Sequence, residues 1–426
     1  MRRQPTYGPS LSAEALRGCT LSTDFFLAAR NIARQRRRSA FALAAIAFGV
    51  AALIVANGFI DWILFKHRET TILSQFGHIQ VSRKGHFEKG TADPFAYLLP
   101  KNSPALDAIQ GLPGLRVVGR RLAFSGLVSK GDETVSFVAE AVEPDKEHIL
   151  SSSLRISRGE DLAVDDPKGI ILGLGLAANL GIDVGDRVVL IANTVKGGVN
   201  AVECRVRGLF ATMSKAYDDV ALRVPLTTAQ TLLKVEGAHV WALLLEDTEQ
   251  VPPTLTALRQ RFANDDLVFT EWIELADFHV KAASLFAKQV GVMRFIIAVI
   301  IVLSIFNTMM MSVMERTTEI GTSMALGLTR RRILHIFLVE GAMLGAVGGL
   351  LGLALGSVLA WTVSYIGIPM PPPPGQSWGF IGEVLVSTRL CVEVFFLAVG
   401  STLLASVLPA RKASRMVIVD ALRFNR

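Results

Sequence analysis

The stretch MERTTEIGTSMALGLTRRR, from Met314 to Arg332, determines how the whole sequence is interpreted. It is polar, charged and composed of helix-forming residues, and an apolar run lies immediately on each side of it. Each of these runs is long enough to cross the hydrocarbon core of a bilayer. The pattern therefore indicates a chain that leaves the membrane, forms a short polar helix and returns into the membrane.

Four apolar stretches of the chain meet the length that a spanning helix needs, roughly 17–25 residues. They cover residues 40–64, 291–313, 333–365 and 391–408. We expect all four to be helical, because hydrocarbon offers no partner to an unpaired backbone amide. The first stretch is longer than the core of a signal peptide and begins far from the N-terminus, so it predicts an uncleaved anchor.

The distribution of charge predicts the orientation of these spans. Residues 1–39, which are expected to include an amphipathic helix, carry eight arginines against two acidic residues, and the tail 409–426 carries five basic residues against one. Residues 65–290 hold 25 Lys and Arg against 28 Asp and Glu, and the Pro-rich loop 366–390 holds almost no charge. The positive-inside rule then places both termini and residues 314–332 in the cytoplasm, with 65–290 and the loop outside. The net charge of +7 is a topology signal, and no nucleic-acid partner is predicted.

The large segment 65–290 reads as an α+β domain, long enough to form two subdomains. Runs that alternate apolar and polar residues, or that form short apolar blocks between turn residues, predict strands. These runs cover residues 78–82, 115–119, 134–142, 169–172, 187–193, 202–210, 220–226 and 240–246. Helices are predicted at 103–110, 173–181, 227–235 and 254–262, and a last helix from 271 to 290 is expected to run unbroken into the second span.

Two features of this segment admit a second interpretation. Gly173, Gly175 and Ala178 follow a strand and match a dinucleotide fingerprint, but no acidic residue closes a second strand about 20 residues later. His78 and His86 fit no common metal-ligand spacing, and we expect a strand histidine and a loop histidine. The sequence assembles no catalytic set, so an enzyme is not predicted.

The third span carries two series of glycines and one acidic residue. Glycines spaced four apart lie on one helix face and allow another backbone to approach closely. The two series are Gly341, Gly345, Gly349 and Gly348, Gly352, Gly356. They predict either tight packing within one subunit or a face that packs against a span across a dimer. Glu340 is expected to pair with a basic residue near the cytoplasmic face, because a charge at that depth avoids lipid.

The polar stretch itself carries apolar residues at a rough spacing of four to five, including Ile320 and Met324. This spacing predicts a helix at the cytoplasmic surface with one apolar face. That face would rest on lipid headgroups or bind a partner. The PMPPPPG sequence at 369–375 predicts a stiff turn between the last two spans.

The same stretch resembles a hallmark of the FtsX/MacB-type ABC transporter permeases, in which a pattern close to E-x-x-x-E-I-G-x-x-x-A-L-G-x-x-x-x-x-I forms the helix that docks into the ATPase. The matching positions here are Glu315, Glu319, Ile320, Gly321, Ala325, Leu326, Gly327 and Ile333, with Arg316 inside the motif. PARKASRMVIVDALR at 409–423 resembles the tail of this family, although it lacks the usual proline and has Asp420 in place of Glu. The segment 76–90 and the run IILGLGLAANLGIDVGDRVVL are most similar to permeases of the LolC/LolE kind, which release lipoproteins.

The resemblance implies a four-helix membrane protein of the bacterial inner membrane with a large α+β periplasmic domain between helices 1 and 2. It implies two ATPase subunits, a second permease chain that is identical or a paralogue, and contact with membrane lipid, with a periplasmic carrier or lipoprotein as further partner. The sequence contains no GxxxxGK[ST] motif, so ATP and Mg²⁺ are expected on a separate chain and no cofactor is expected on this one. The implied function is ATP-driven release of lipoproteins or export of hydrophobic substrates. An FtsX-like regulator of a periplasmic cell-wall hydrolase is the alternative.

Overall fold

The computed structural model describes residues 26, 28–30, 34, 36–90, 93–212, 214–371 and 379–419. These residues form two compact units. The first, the membrane bundle, takes its residues from the ranges 1–63, 284–368 and 382–426. The second, the inserted domain, takes them from 64–283 and 369–381. Most of the expected N-terminal amphipathic helix, residues 372–375 of the Pro-rich sequence and the end of the tail lie outside the described residues.

The described chain contains α-helices from 4 to 39 residues long. In chain order they are α1 (Arg36–Thr71), α2 (His86–Lys89), α3 (Pro104–Gln110), α4 (Pro144–Leu150), α5 (Leu174–Asn179), α6 (Lys215–Asp218), α7 (Leu226–Leu233), α8 (Val251–Arg261), α9 (Trp272–Leu275), α10 (Asp277–Glu315), α11 (Thr317–Ala325), α12 (Arg330–Ile366) and α13 (Thr388–Ser414). A π-helical turn follows α1 at Ile72–Phe76, and short 3₁₀ turns lie at Pro94–Tyr97 and Thr248–Gln250.

Four of these helices, α1, α10, α12 and α13, are the ones in the described chain that are long and apolar enough to cross a membrane. Each extends beyond the apolar run that predicted it, because polar residues can continue a helix outside the hydrocarbon. The helix α1, with its π-helical turn, ends only at Gly77, whose φ of 68° favours glycine. Similarly, α13 continues through Pro409 to Ser414, so the first part of the predicted tail is helical.

The membrane helices share one core within the bundle. Apolar side chains from all four, and from α11, form a single buried cluster. Its members include Ile46, Val50, Ile54, Ile301, Ile305, Met309, Val313, Ile320, Met324, Ile333, Phe337, Leu344, Val394, Ala398, Ala405 and Ala410. Because lipid tails are as apolar as these side chains, the association depends on close packing rather than on exclusion of water.

The inserted domain is built on a ten-stranded mixed sheet. Its strands are β1 (Ile79–Arg83), β2 (Leu115–Lys130), β3 (Glu133–Val142), β4 (Arg155–Gly159), β5 (Gly169–Gly173), β6 (Arg187–Asn193), β7 (Val199–Ala211), β8 (Ala221–Pro225), β9 (Val240–Leu245) and β10 (Leu267–Glu271). The order is β10-β1-β9-β2-β3-β8-β5-β7-β4, and β6 pairs with both β2 and β7. Two further strands, β11 (Ile368–Met370) and β12 (Phe380–Gly382), pair with each other.

The long strand β2 joins two parts of this sheet. Its first half, Leu115–Arg121, pairs antiparallel with β9, and its second half, Leu122–Lys130, pairs with β3. A separate hydrophobic core lies at each half. One core contains Ile79, Trp241 and Phe269, and the other contains Phe137 and Leu222.

All eight predicted strands are present, and the prediction is incomplete or wrong elsewhere. The strands β4 and β10 were not predicted. In β4, RISRG, four of the five residues are exposed, so it carries no apolar pattern. The predicted helix 271–290 is wrong as a continuous element: α9 ends at Leu275, and α10 begins at Asp277. The break at Ala276 accompanies the burial of Trp272 and Ala276 against Ile72 and Leu244.

Candidate functional site

The polar stretch 314–332 is not one helix but three consecutive pieces of helix. The second membrane helix ends at Glu315, α11 spans Thr317–Ala325, and α12 begins at Arg330. Gly327, with a φ of 99°, adopts a conformation that disfavours side chains and ends the turn after α11. The Thr329 side chain then caps α12 by accepting a hydrogen bond from the Arg332 amide at 3.4 Å. Ile333, a member of the matched motif, therefore lies inside the third membrane helix.

The apolar face of α11 is occupied within the chain. Ile320 and Met324 are buried in the core shared with the membrane helices, and Gly321 and Ile333 are also buried. The expectation of an apolar face free to meet lipid or a partner is therefore wrong for these positions. They are buried because the segment folds back on the bundle it connects.

The opposite side of the segment is exposed. Leu326 is 82% exposed, and Ala325 and Gly327 beside it are also exposed. Glu315 and Glu319 are on the surface as well. The eight motif positions thus divide into residues that attach the segment to the bundle and residues that it presents outward. The spacing of residues in the sequence could not predict which positions are buried, because it does not show which face of α11 packs against the membrane helices.

Ion pairs hold the first part of the segment in place. Arg38 pairs with Glu315, and Arg34 Nη1 lies 3.0 Å from Glu319 Oε1. Arg316 Nη1 lies 3.6 Å from Oε2 of the buried Glu340, and its guanidinium lies 5.8 Å from the centre of the Phe337 ring. Glu340 thus has the kind of basic neighbour that was expected for it.

The two glycine series of α12 face two different helices of the same bundle. A Cβ on Gly341 or Gly345 would lie about 2 Å from Ser406 Oγ or Thr402 Oγ1 of α13. Gly349 likewise faces Phe395 of α13. On the other face, a Cβ on Gly352 would lie 2.6 Å from Val50 Cβ of α1. Gly348 and Gly356 face Ile46 and Ile54 of α1. Both series are therefore used for packing within one chain.

A buried polar network in the inserted domain escaped the sequence analysis. Arg121 of β2 and Arg223 of β8 are 2% and 1% exposed, and both contact Glu147 of α4. Arg223 Nη2 also lies 2.9 Å from Glu140 Oε2. Burial disfavours the charged form of Arg223, but Glu140 and Glu147 outweigh this effect and raise its pKa. The signal was present: an arginine inside the apolar run VALRVPL requires a buried partner.

This network binds the backbone at the end of the first membrane helix. Arg121 Nη1 donates to the carbonyl of Gln75, and Arg223 Nη2 donates to the carbonyl of Ser74 at 2.9 Å. Both carbonyls belong to the π-helical turn that follows α1. Ser151 is buried and hydrogen-bonds to Glu147. Charged side chains thus attach the helix end to strands β2 and β8.

The two weaker sequence motifs are structural features. A Cβ on Gly173 would lie 2.2 Å from the Asp218 carbonyl, and one on Gly175 would lie 1.9 Å from Asp219 Oδ1. These glycines therefore pack against residues 218–219 and leave no room for a phosphate. His78 is buried and accepts a hydrogen bond from the Leu245 amide, and His86 begins α2 instead of lying in a loop. Among the described residues, no three His, Cys, Asp or Glu side chains are grouped to hold a metal.

Comparison with known proteins defines the class. Residues 39–261, just over half of the chain, match the family model described as MacB-like periplasmic core domain. Residues 291–418 match the model described as FtsX-like permease C-terminal. A bundle of four membrane helices with an α+β domain between the first two, joined to these matches, defines an ABC transporter permease. The chain belongs to the MacB/LolC type of this family.

Three relatives illustrate the range of the match. The chain is 25% identical over 420 residues to an uncharacterized ABC transporter permease of Methanocaldococcus jannaschii, covering 92% of this chain and 96% of that protein. It is 25% identical over 280 residues to the lipoprotein-releasing system transmembrane protein LolC of Neisseria meningitidis, covering 60% and 65%. It is 29% identical over 212 residues to the macrolide export ATP-binding/permease protein MacB of Hyphomonas neptunium, covering 48% and 30%. The chain thus spans less than two thirds of the Neisseria meningitidis LolC and of the Hyphomonas neptunium MacB.

Proposed function

We propose that this permease transmits movement from a separate ATPase to its inserted domain, and that the movement releases lipid-anchored or other hydrophobic substrates from the membrane. The observation that carries the proposal is the division of the polar stretch into an outward face at Leu326 and a buried face at Ile320. An ATPase that binds the outward face would act on a segment whose other face is part of the bundle core.

The path of the movement follows the two long helices that border the inserted domain in sequence. The helix α1 runs from Arg36 to Thr71 and α10 from Asp277 to Glu315, each without interruption. A continuous helix can carry a displacement along its axis because its backbone hydrogen bonds resist stretching. The contacts of Arg121 and Arg223 with the π-helical turn supply a stiff attachment for such a displacement within the inserted domain.

The proposed assembly contains two ATPase subunits and two permease chains in a bacterial inner membrane. ATP and Mg²⁺ would bind to the ATPase subunits. The arginines before α1 and after α13 support a cytoplasmic position for both termini and for α11, with the inserted domain in the periplasm. The name of the LolC relative supports lipoproteins as the substrate class.

The docking role is tested by Leu326→Asp in the full chain, purified with a tag from its own host. We expect the wild-type chain to recover a nucleotide-binding subunit of the ABC class, identified by mass spectrometry. Leu326→Asp should lose most of this subunit while the permease itself stays folded. The matched control is Val199→Asp, which alters an apolar residue of the inserted domain that is 72% exposed. Equal recovery with Leu326→Asp and wild type would disprove docking at this face.

The substrate class is tested by depletion of the permease in its host. Release of lipoproteins predicts that mature lipoproteins accumulate in the inner membrane, which membrane fractionation and mass spectrometry measure. A normal lipoprotein distribution combined with defective cell-wall cleavage would instead indicate the regulatory alternative.

A further inference from the structure

Four arginines at the start of the first membrane helix line a small cavity that is open to solvent. The cavity has a volume of about 350 Å³ and is lined by Arg34, Arg36, Arg37 and Arg38, with Glu315 at the end of α10 as its remaining wall. Four positive charges therefore face one negative charge around this space. Such an excess of positive charge favours an anion in this space.

Two of the arginines are committed to acidic partners, and two are not. Arg38 pairs with Glu315, and Arg34 pairs with Glu319 of α11. Arg36 and Arg37 are exposed, and within the described part of the chain neither forms an ion pair. Guanidinium groups bind phosphate oxygens through paired hydrogen bonds, so these two side chains can bind a phosphate without breaking the existing ion pairs.

The residues that follow the cavity along α1 favour a lipid as the source of the phosphate. The apolar part of the helix begins at about Ala40, which places Arg36 and Arg37 at the depth of the headgroups. Phe41 lies one helical turn after Arg37 and is 78% exposed, and Phe48 lies two turns further and is 66% exposed. A phosphate bound at Arg37 would thus have exposed aromatic rings beneath it on the same helix face, where an acyl chain would lie.

We propose that this cavity binds the phosphodiester of an anionic phospholipid, with Arg36 and Arg37 as ligands and an acyl chain along Phe41 and Phe48. The bound headgroup would attach the start of α1 to the bilayer beside the two ion pairs that hold the first part of the polar stretch. The site does not depend on the proposed function, because both leaflets of a bilayer present phosphodiesters.

The test measures lipid binding to the purified full chain, without any ATPase, by native mass spectrometry. Phosphatidylglycerol and phosphatidylcholine are titrated against wild type, Arg36→Gln/Arg37→Gln and the control Arg330→Gln/Arg331→Gln. The control removes two exposed arginines that lie outside the cavity, at the start of α12. We expect wild type to prefer phosphatidylglycerol and the cavity variant to lose about 30-fold in affinity for it, because Arg36 and Arg37 are the proposed ligands of its phosphate. The control should retain most of its affinity.

Further arms distinguish a lipid from a free anion. Phe41→Ala should weaken phosphatidylglycerol binding without a change in melting temperature, because it alters only the acyl-chain contact. Inorganic phosphate alone should not bind wild type saturably at the cavity, so its binding should be the same in wild type and in the cavity variant. The proposal is overturned if wild type shows no preference for phosphatidylglycerol, if both arginine pairs lose affinity equally, or if inorganic phosphate occupies the cavity and phosphatidylglycerol does not. If the double variant unfolds, Arg36→Gln and Arg37→Gln are tested singly with the same criteria.

Discussion

Arg316 and Glu340 face each other where the chain turns back toward the membrane, with Arg316 Nη1 3.6 Å from Glu340 Oε2. Arg316 lies between α10 and α11, and Glu340 lies within α12. The pair therefore connects the polar stretch to the third membrane helix. The two side chains differ in exposure, since Glu340 is 4% exposed whereas Arg316 is only half-buried. This asymmetry leads to the first prediction.

Arg316→Gln should destabilise the protein more than Glu340→Gln does. The first change leaves a buried carboxylate without its cation, a loss on the order of 3 kcal/mol, whereas the second leaves an arginine that can reach water. The double variant should be more stable than the sum of the single effects predicts. Unfolding of the full chain in detergent, followed by tryptophan fluorescence, measures all three. Equal and additive effects would show that the pair contributes nothing.

Gly352→Leu should disrupt the packing of α12 against α1, because even a Cβ at this position would lie 2.6 Å from Val50 Cβ and 2.8 Å from the Ala47 carbonyl. We expect a loss of about 1–3 kcal/mol or a failure to fold. Gly400→Leu in α13 is the matched control, since a Cβ there meets nothing within 4 Å. Thermal unfolding of both variants tests the prediction, and similar melting temperatures would contradict it.

Ile320→Asp should lower stability, whereas Leu326→Asp should not. Ile320 is 6% exposed within the bundle core, so the change removes buried apolar contacts and introduces a charge, a loss of about 3 kcal/mol or more. Leu326 is 82% exposed, and a substitution there should stay within about 0.5 kcal/mol. Melting temperatures measured without the ATPase provide the test. A large loss of stability in Leu326→Asp would mean that the loss of the ATPase subunit in the docking experiment results from unfolding of the permease.

The stability of the inserted domain should fall as pH decreases from about 6.5 toward 5. Burial, with a further contribution from Arg68, lowers the pKa of His78 from 6.5 to about 4. The folded state therefore favours neutral His78, and its contribution is present above pH 6.5 and lost as pH falls toward 4. His78 accepts from the Leu245 amide and contacts Thr248 Oγ1 at 3.0 Å, so protonation also breaks a hydrogen bond.

His78→Gln should reduce this dependence on pH without abolishing it, because burial also lowers the pKa of His86. Melting temperatures of the full chain between pH 7.5 and 5 compare the two proteins. An identical slope in wild type and variant would show that His78 does not control it.

Cys204 should be unreactive in the folded protein. Burial raises the pKa of its thiol to about 12, so almost no thiolate exists near neutral pH. Maleimide should leave Cys204 unmodified until the protein is denatured, as peptide mass spectrometry would detect. If Cys204 in the folded protein reacted as fast as an exposed thiol, this result would contradict the burial of β7 at this position.

Several features of the fold were predictable because they depend on residues close together in sequence. Eight of the ten strands in the sheet of the inserted domain lie in runs with period-two alternation or short apolar blocks. The edge strand β4 carries no such pattern because its side chains face water. The break at Ala276 was missed because the residues that bury Trp272 come from distant parts of the chain.

The sequence predicted where the candidate site lies in the chain, but not which of its side chains are buried and which are exposed. The motif located the segment around Ile320 and Leu326, but the two residues have opposite environments. The glycine spacing showed that two faces of α12 carry small residues. Only the packed structure shows that α1 covers one of these faces and α13 the other. Arg121 and Glu147 were missed because 26 residues separate the two halves of their ion pair.

The sequence by itself determined that this protein crosses a membrane four times, carries an α+β insert and exposes a short polar stretch between its second and third spans. These properties follow from local composition, since each apolar run must be helical in lipid wherever its neighbours lie. The tertiary structure alone decided which face of that stretch is buried, which helices fill the glycine faces and which acids neutralise Arg121 and Arg223. Each of these depends on contacts between residues that are far apart in the chain, and such contacts exist only after the helices and strands have packed.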